Sequence, residues 1–337
     1  MAKTASASNV FTSGDLAGQP AQQTNGDKKP TRPQPTSAGA MYSFADVENR
    51  LQDELSDDRI ISLRADAAEQ FVNDAALPRL GDLWVPGYRV ITSELAQEVG
   101  LAGFEDDPFS DLPPDQPQPS SGAVDGNIIA SFVDGVTGIH KQDVLDSCLF
   151  AQLVANGKTT RSTDPLGWTQ AFGASLERLA WVVPSYRFVQ LSSSAAKFTI
   201  DEAILHILRG LLSGNEMEAV QNAIDAIKNL QTQDRRFTIF ERNSHTAGAG
   251  NFQVDEVGET SGGNVQMNLG AFNFQSTDSV TNVLLFHFDS NNTQLRAMKT
   301  TLLLNDAVYA RVRDAVQNRL VGYVNDYIGG VSFGTVG

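Results

Sequence analysis

Apolar positions between residues 44 and 77 recur every three to five residues, at Phe44, Val47, Leu51, Leu55, Ile60, Leu63, Ala67 and Phe71. That spacing lies near the helical period, so it predicts helix, with Ser43 as N-cap and Pro78 and Gly81 as terminators. Leu83-Trp84-Val85 is a short apolar run, and a further helix is predicted over 92–100 between Thr92 or Ser93 and Gly100. Ile128 to Val133 reads as a strand. His140 to Asn156 reads as a helix with Val144, Leu145, Cys148, Leu149 and Leu153 on one face and Asn156-Gly157 as its stop. A helix over 164–182 carries Trp168, Phe172, Leu176, Leu179 and Trp181, with Pro165 in the first turn, where proline is tolerated. Tyr186 to Leu191 alternates as a strand. An αα-hairpin follows, Asp201 to Leu212 and Glu216 to Leu230, turning at Ser213-Gly214-Asn215.

From Arg236 the period changes to two. Strands are predicted over 236–241, 250–257, 263–275, 281–289 and 293–304. In the third, the apolar parity switches beside Gly270, which predicts a bulge. In the fourth, Leu284, Phe286 and Phe288 alternate with Val283, Leu285 and His287, which predicts a strand buried on both faces. A long amphipathic helix over 306–328, capped by Asn305 or Asp306 and stopped by Gly329-Gly330, closes the chain. Strands do not alternate with helices, so a parallel α/β sheet is not expected. The predicted class is α+β: N-terminal helices and an αα-hairpin packed on a C-terminal antiparallel β-meander closed by the C-terminal helix.

Two segments fit no packed element. Residues 1–40 are rich in Ala, Ser, Thr, Gln, Gly and Pro and read as a disordered tail. Residues 105–123 combine Glu105-Asp106-Asp107 with Pro108, Pro113, Pro114, Pro117 and Pro119 and read as an extended, acidic linker. The expected organisation is therefore the tail 1–40, an acidic helical segment 41–104, the linker 105–123 and an α+β globular domain 124–337.

Charge sharpens this division. The 337-residue chain carries a formal charge of −15. Residues 41–125 hold 18 Asp/Glu against five Lys/Arg, net −13; residues 1–40 are net +2 and the remainder net −4. Such a surface repels phosphate backbones, so nucleic acid is not an expected partner. It also repels anionic lipid, so membrane contact is not favoured. With one cysteine, Cys148, no intramolecular disulfide can form. No apolar run reaches the roughly 20 residues of a membrane span. Residues 1–40 lack the apolar core of a secretory signal. The expected location is cytoplasmic, or outside the cell by a route that does not use a classical signal peptide.

The common catalytic motifs are missing from the sequence: no nucleophile elbow, no phosphate-binding glycine loop, no H-E-x-x-H. Gly248-Ala249-Gly250-Asn251 lies between two predicted strands and reads as a hairpin loop. Cys148 is a weak candidate nucleophile, because it falls on the apolar face of its helix. The best Cys/His/acid combination would join it to His206 and Asp201, with no spacing in its favour. His140, His206, His245 and His287 show no metal-ligand spacing, and Glu105, Asp106, Asp107, Asp111 and Asp115 sit in an extended stretch, so no cofactor or metal is expected. Phe272, Phe274, Phe286 and Phe288 read as sheet core. The sequence thus favours a non-catalytic binding, adaptor or assembly protein that engages a protein partner, its oligomeric state unspecified. The alternatives are an exported effector or toxin-like protein, membrane-active, with the tail as address tag, and a cysteine-dependent hydrolase or acyltransferase.

Overall fold

A computed structural model describes residues 11–14, 44–78, 115–184, 188–193, 197–230, 232, 234–246 and 248–332. The predicted helix at 92–100 and the run Leu83-Trp84-Val85 lie outside the described residues, as does most of the 1–40 tail. Four residues of that tail, Phe11–Gly14, form strand β1.

Helices α1 (Phe44–Leu55) and α2 (Asp58–Asp74) come first. Where one helix was expected there are two. Asp57 takes an extended conformation, and its carboxylate accepts from the Arg59 amide, so it caps a new start rather than continuing the old helix. Strands β2 (Ser121–Asp125) and β3 (Ile128–Phe132) form a hairpin. The end of the expected linker is therefore a strand: Ser121-Gly122-Ala123 joins the sheet and is buried. Next come α3 (Gly138–Lys158) and α4 (Pro165–Arg178), the short strand β4 (Trp181–Val182), and strands β5 (Val189–Ser193) and β6 (Lys197–Thr199).

The αα-hairpin is α5 (Ile200–Leu208) and α6 (Gly214–Lys228). Both helices start in a capping box, Thr199 with Glu202 and Ser213 with Glu216. Then comes α7 (Arg235–Ser244), where a strand over 236–241 was expected. Phe237, Thr238, Ile239 and Phe240 favour strands, but Asp234 caps the segment by accepting from the Arg236 amide, and Phe237, Phe240, Glu241 and Ser244 fall on one buried helical side.

Strands β7 (His245–Thr246), β8 (Ala249–Glu259), β9 (Val265–Ser276), β10 (His287–Asp289) and β11 (Thr293–Leu304) follow, then α8 (Asp306–Leu320), α9 (Val324–Tyr327) and β12 (Ile328–Ser332). The closing helix thus ends at Leu320, and Gly329-Gly330 lie inside an edge strand rather than at a helix stop. The predicted strand at 281–289 shrinks to its last three residues; Leu285 is 47% exposed, so this stretch is a loop with Val283, Leu284 and Phe288 tucked under it.

The main sheet runs β1-β5-β11-β9-β8-β3-β2-β12, with β4 on β11 and β7 on β8. It is antiparallel except for the pair β3–β8. Strand β9 keeps one register along both neighbours, from Val265↔Glu259 to Gln275↔Ala249, so no bulge interrupts it at Gly270. The parity switch has another cause: helices cover both faces, so both parities are apolar. Val265, Met267, Leu269 and Ala271 enter one core, and Phe272 and Phe274 enter the other.

The first core holds Phe71 of α2, Leu149 of α3, Phe172 of α4 and Val312 of α8 against one face. The second holds Ile204 of α5, Ile224 of α6 and Phe240 of α7 against the other. The result is an α+β protein whose mixed, largely antiparallel sheet lies between two helical layers. The acidic helices α1 and α2 belong to this body. Ile61 and Phe71 join the first core, and Val47 and Leu51 pack with Val182 and Leu303.

Candidate functional site

Strand β8 is polar where its layer is otherwise apolar. Phe252 and Val254 point to the second core, so Asn251, Gln253 and Asp255 point to the first, towards α3. Register brings Asp125 of β2 beside them: Asp125 pairs with Ile128, which pairs with Gln253. Next along, Ala123, Ala130 and Asp255 share a row. All of these polar residues are at most 3% exposed.

Part of this buried polar stripe is satisfied. The Gln152 amide on α3 donates to the Asp125 carbonyl at 3.0 Å and accepts from the Asn127 amide at 3.2 Å. Asn127 donates to the Asn251 carbonyl at 2.9 Å. Gly126 makes this possible. Its φ is +58°, and a Cβ there would sit 2.3 Å from Gln152 Oε1. The rest is unsatisfied. Both carboxylate oxygens of Asp125 and of Asp255, both side-chain polar atoms of Gln253, and Asn127 Oδ1 have no hydrogen-bond partner among the described residues. A buried carboxylate without a partner resists ionisation. Burial, then the nearby Asp146 and Asp255, hold the Asp125 carboxyl well above its ordinary value. Burial alone does the same to Asp255.

Cys148 faces this stripe from α3. It is 2% exposed, and burial, reinforced by Asp255 and Asp125, pushes its thiol well above the ordinary range. A nucleophilic cysteine needs the opposite setting, a cationic and partly open one. Its adjacent residue Ser147 is also committed, accepting from Trp181 Nε1 at 3.0 Å. The thiol of the native chain is therefore expected to resist an alkylating reagent over hours and to react at once in denaturant. Intact-mass analysis of both samples checks this; labelling of the folded chain at the rate of a free thiol would refute the enclosure.

The other two members of the candidate triad lie elsewhere. Asp201 and His206 are on α5, whose apolar side packs in the second core, across the sheet from Cys148. Burial acts to raise Asp201, but its ion pair with Lys228 at 2.5 Å prevails and holds it below the usual carboxylate range. His206 is lowered by burial and by Arg209 and Lys299. The structure does not bring these three side chains together.

A second network, where the N-terminal half of α3 meets α8, was not read from the sequence. His140 Nδ1 lies 2.7 Å from Glu259 Oε1, and its Nε2 lies 3.8 Å from Asp306. Arg313 holds Asp143 through two bonds of 2.6 and 2.7 Å. Gln142 and Gln317 donate to Asp146, which burial nonetheless pushes up to about 6. Within this cluster the Tyr309 hydroxyl is buried with no partner among the described residues. Sequence spacing could not reveal the network, because its members come from three elements that lie far apart along the chain.

One open cavity of about 250 Å³ lies where the C-terminal ends of α2, α3 and α4 meet, lined by Phe71, Asp74, Val154, Lys158 and Arg178. Lys158 and Arg178 complement the helix dipoles there. Neither Cys148 nor a histidine lines it. Among the described residues, no group of three or more His, Cys, Asp or Glu is arranged to hold a metal ion, and no helix is long and apolar enough to cross a membrane.

No family model and no curated protein matches the chain. Among solved structures, one described as the structure of the Evf virulence factor aligns with 56% of this chain and 77% of its own, at 9% identity and a TM-score of 0.28. A superposition of that quality carries no argument about fold or function.

Proposed function

We propose that the chain is a non-catalytic binding, adaptor or assembly protein that engages a protein partner. One observation supports this reading above the others: its only thiol is enclosed and flanked by carboxylates, with neither His206 nor Asp201 on its side of the sheet. The buried acids beside it lie beneath α3, away from the open cavity, so they hold protons inside the fold and present nothing to a substrate.

The test is capture on the immobilised full chain from an extract of its native host. A partner displaced by the free chain, and bound again when both are purified, supports the proposal. No specific partner from either soluble or membrane fractions counts against it. Hydrolysis of an acyl ester or thioester by the purified chain, lost in Cys148→Ser, would replace it with the enzyme reading.

A further inference from the structure

Arginines in this chain are commonly matched to acids: Arg50 and Arg64 to Glu54, Arg236 to Asp234 and Arg313 to Asp143. Arg161 departs from that habit. It sits on the loop between α3 and α4, with its guanidinium 5.1 Å from the centroid of the Trp168 ring. Its Nη1 donates to the Asn243 carbonyl, in the last turn of α7. Besides burial, the groups that act on its charge are the Tyr327 phenol and a second cation, Arg242; no carboxylate among the described residues does. The Arg242 guanidinium lies 5.9 Å from the Tyr327 ring centroid. The other N–H groups of Arg161 make no hydrogen bond with the described residues.

Among the described residues no carboxylate balances the charge of Arg161. The C-terminus of α7 supplies about half a negative charge against one guanidinium, leaving an excess of about +0.5. This excess stands on a chain whose overall charge is −15. A planar guanidinium held against an indole keeps its remaining donors in a fixed fork, which matches two oxygens of a tetrahedral oxyanion.

We infer that Arg161 forms an oxyanion site that takes a phosphate group, with Trp168 as the platform that fixes its fork and Arg242 adding positive potential from the side. The group is supplied as free phosphate or as a small phosphomonoester. This site is independent of the adaptor reading, which stands or falls on partner capture.

The test is titration calorimetry of the full chain with inorganic phosphate near pH 7.5, with ionic strength held constant by sodium chloride. A parallel arm uses glycerol phosphate. Saturable one-to-one binding is expected, with Arg161→Gln weakening it at least about tenfold, since it removes charge-assisted donors. Arg161→Lys, which keeps the charge but loses the fork, is expected to weaken it as well. Arg242→Gln, which removes a neighbouring charge, is expected to weaken it about threefold. Tighter binding in the glycerol phosphate arm would identify a phosphomonoester as the ligand, and equal or weaker binding would identify the free ion. If Arg161→Gln fails to fold by circular dichroism, Arg161→Lys decides. The inference is overturned by the absence of saturable heat up to about 50 mM of either compound, weaker than any useful site, or by native affinity in the folded Arg161 variants.

Discussion

The urea midpoint of the full chain is expected to be highest near pH 5 and to fall steadily towards pH 8. Burial pushes Glu241 up to about 8, Glu256 to about 7 and Asp146 to about 6, and holds Asp125 and Asp255 well above the ordinary range. An acid whose folded value is raised binds its proton more tightly folded than unfolded. Above the unfolded value, near 4, the unfolded chain releases that proton while the folded chain must keep it or ionise at a cost. Stability is therefore full below about pH 4 for these groups and is lost as pH rises through their folded values.

An acid raised by one pH unit corresponds to about 1.4 kcal/mol, so three or more such acids place the loss from pH 5 to 8 on the order of several kcal/mol. Two sets of groups act in the other direction. Burial lowers His245, which withdraws stability as pH falls below about 6.5, the unperturbed histidine value. Asp201 and Asp234 are held low by Lys228 and Arg236, and their contribution vanishes as pH falls below about 4. Together these place the optimum in the mildly acidic range. Chemical denaturation at pH 4, 5, 6.5 and 8 tests it; a midpoint that rises from pH 5 to 8 would refute the protonated interior.

Arg313→Met is expected to cost about 3–5 kcal/mol at pH 7.5, the largest loss for a single side chain outside the apolar cores. Asp143 is fully buried and Arg313 is only 24% exposed, and the two bonds between them satisfy both oxygens of the carboxylate. Removing the arginine leaves a buried anion without its partner, beside Asp306 and Asp146. Burial already raises Asp143, and without Arg313 little offsets it, so as pH falls the orphaned group takes up a proton and the loss shrinks. The double variant Arg313→Met with Asp143→Leu is expected to recover most of the stability, because a buried ion pair and an apolar pair of similar volume differ little. Urea denaturation of the three proteins at pH 4.5 and 7.5 checks this. A cost below about 1 kcal/mol at pH 7.5 would mean the pair behaves as an ordinary surface contact.

Local signals carried much of the fold. The αα-hairpin was legible because Ser213-Gly214-Asn215 marks a turn and Ala203, Ile204, Ile207 and Leu208 keep the helical period. Strands β8, β9 and β11 were legible from alternation. What failed was the assumption that only one face is buried. It turned the doubly apolar β9 into a bulge, and it gave α3 a single apolar face although Lys141, Asp143 and Asp146 are buried as well. Similarly, the β-branched and aromatic residues Phe237 to Phe240 pointed to a strand, where the Asp234 cap and one buried side make α7 a helix.

The buried polar stripe was written in the sequence as Asn251, Gln253 and Asp255 at every second position. Read alone, it is the solvent side of a half-exposed strand. Only the placement of α3 over it makes it interior, and that is a tertiary fact. The network of His140, Glu259 and Arg313 is likewise invisible without the register of β8 and the approach of α8.

The single parallel pair in the sheet sets the order in which the molecule can assemble. Ile128 of β3 finds its ladder partner Gln253 of β8 only 125 positions later, after helices α3 to α7 have been threaded between them. Hairpins such as β8–β9 close early, at small loop entropy, whereas the seam joining the β2–β3 pair to the rest of the sheet must wait for a distant segment. During synthesis that waiting edge is an unpaired, apolar strand, so the nascent chain spends its longest interval in its most adhesive state.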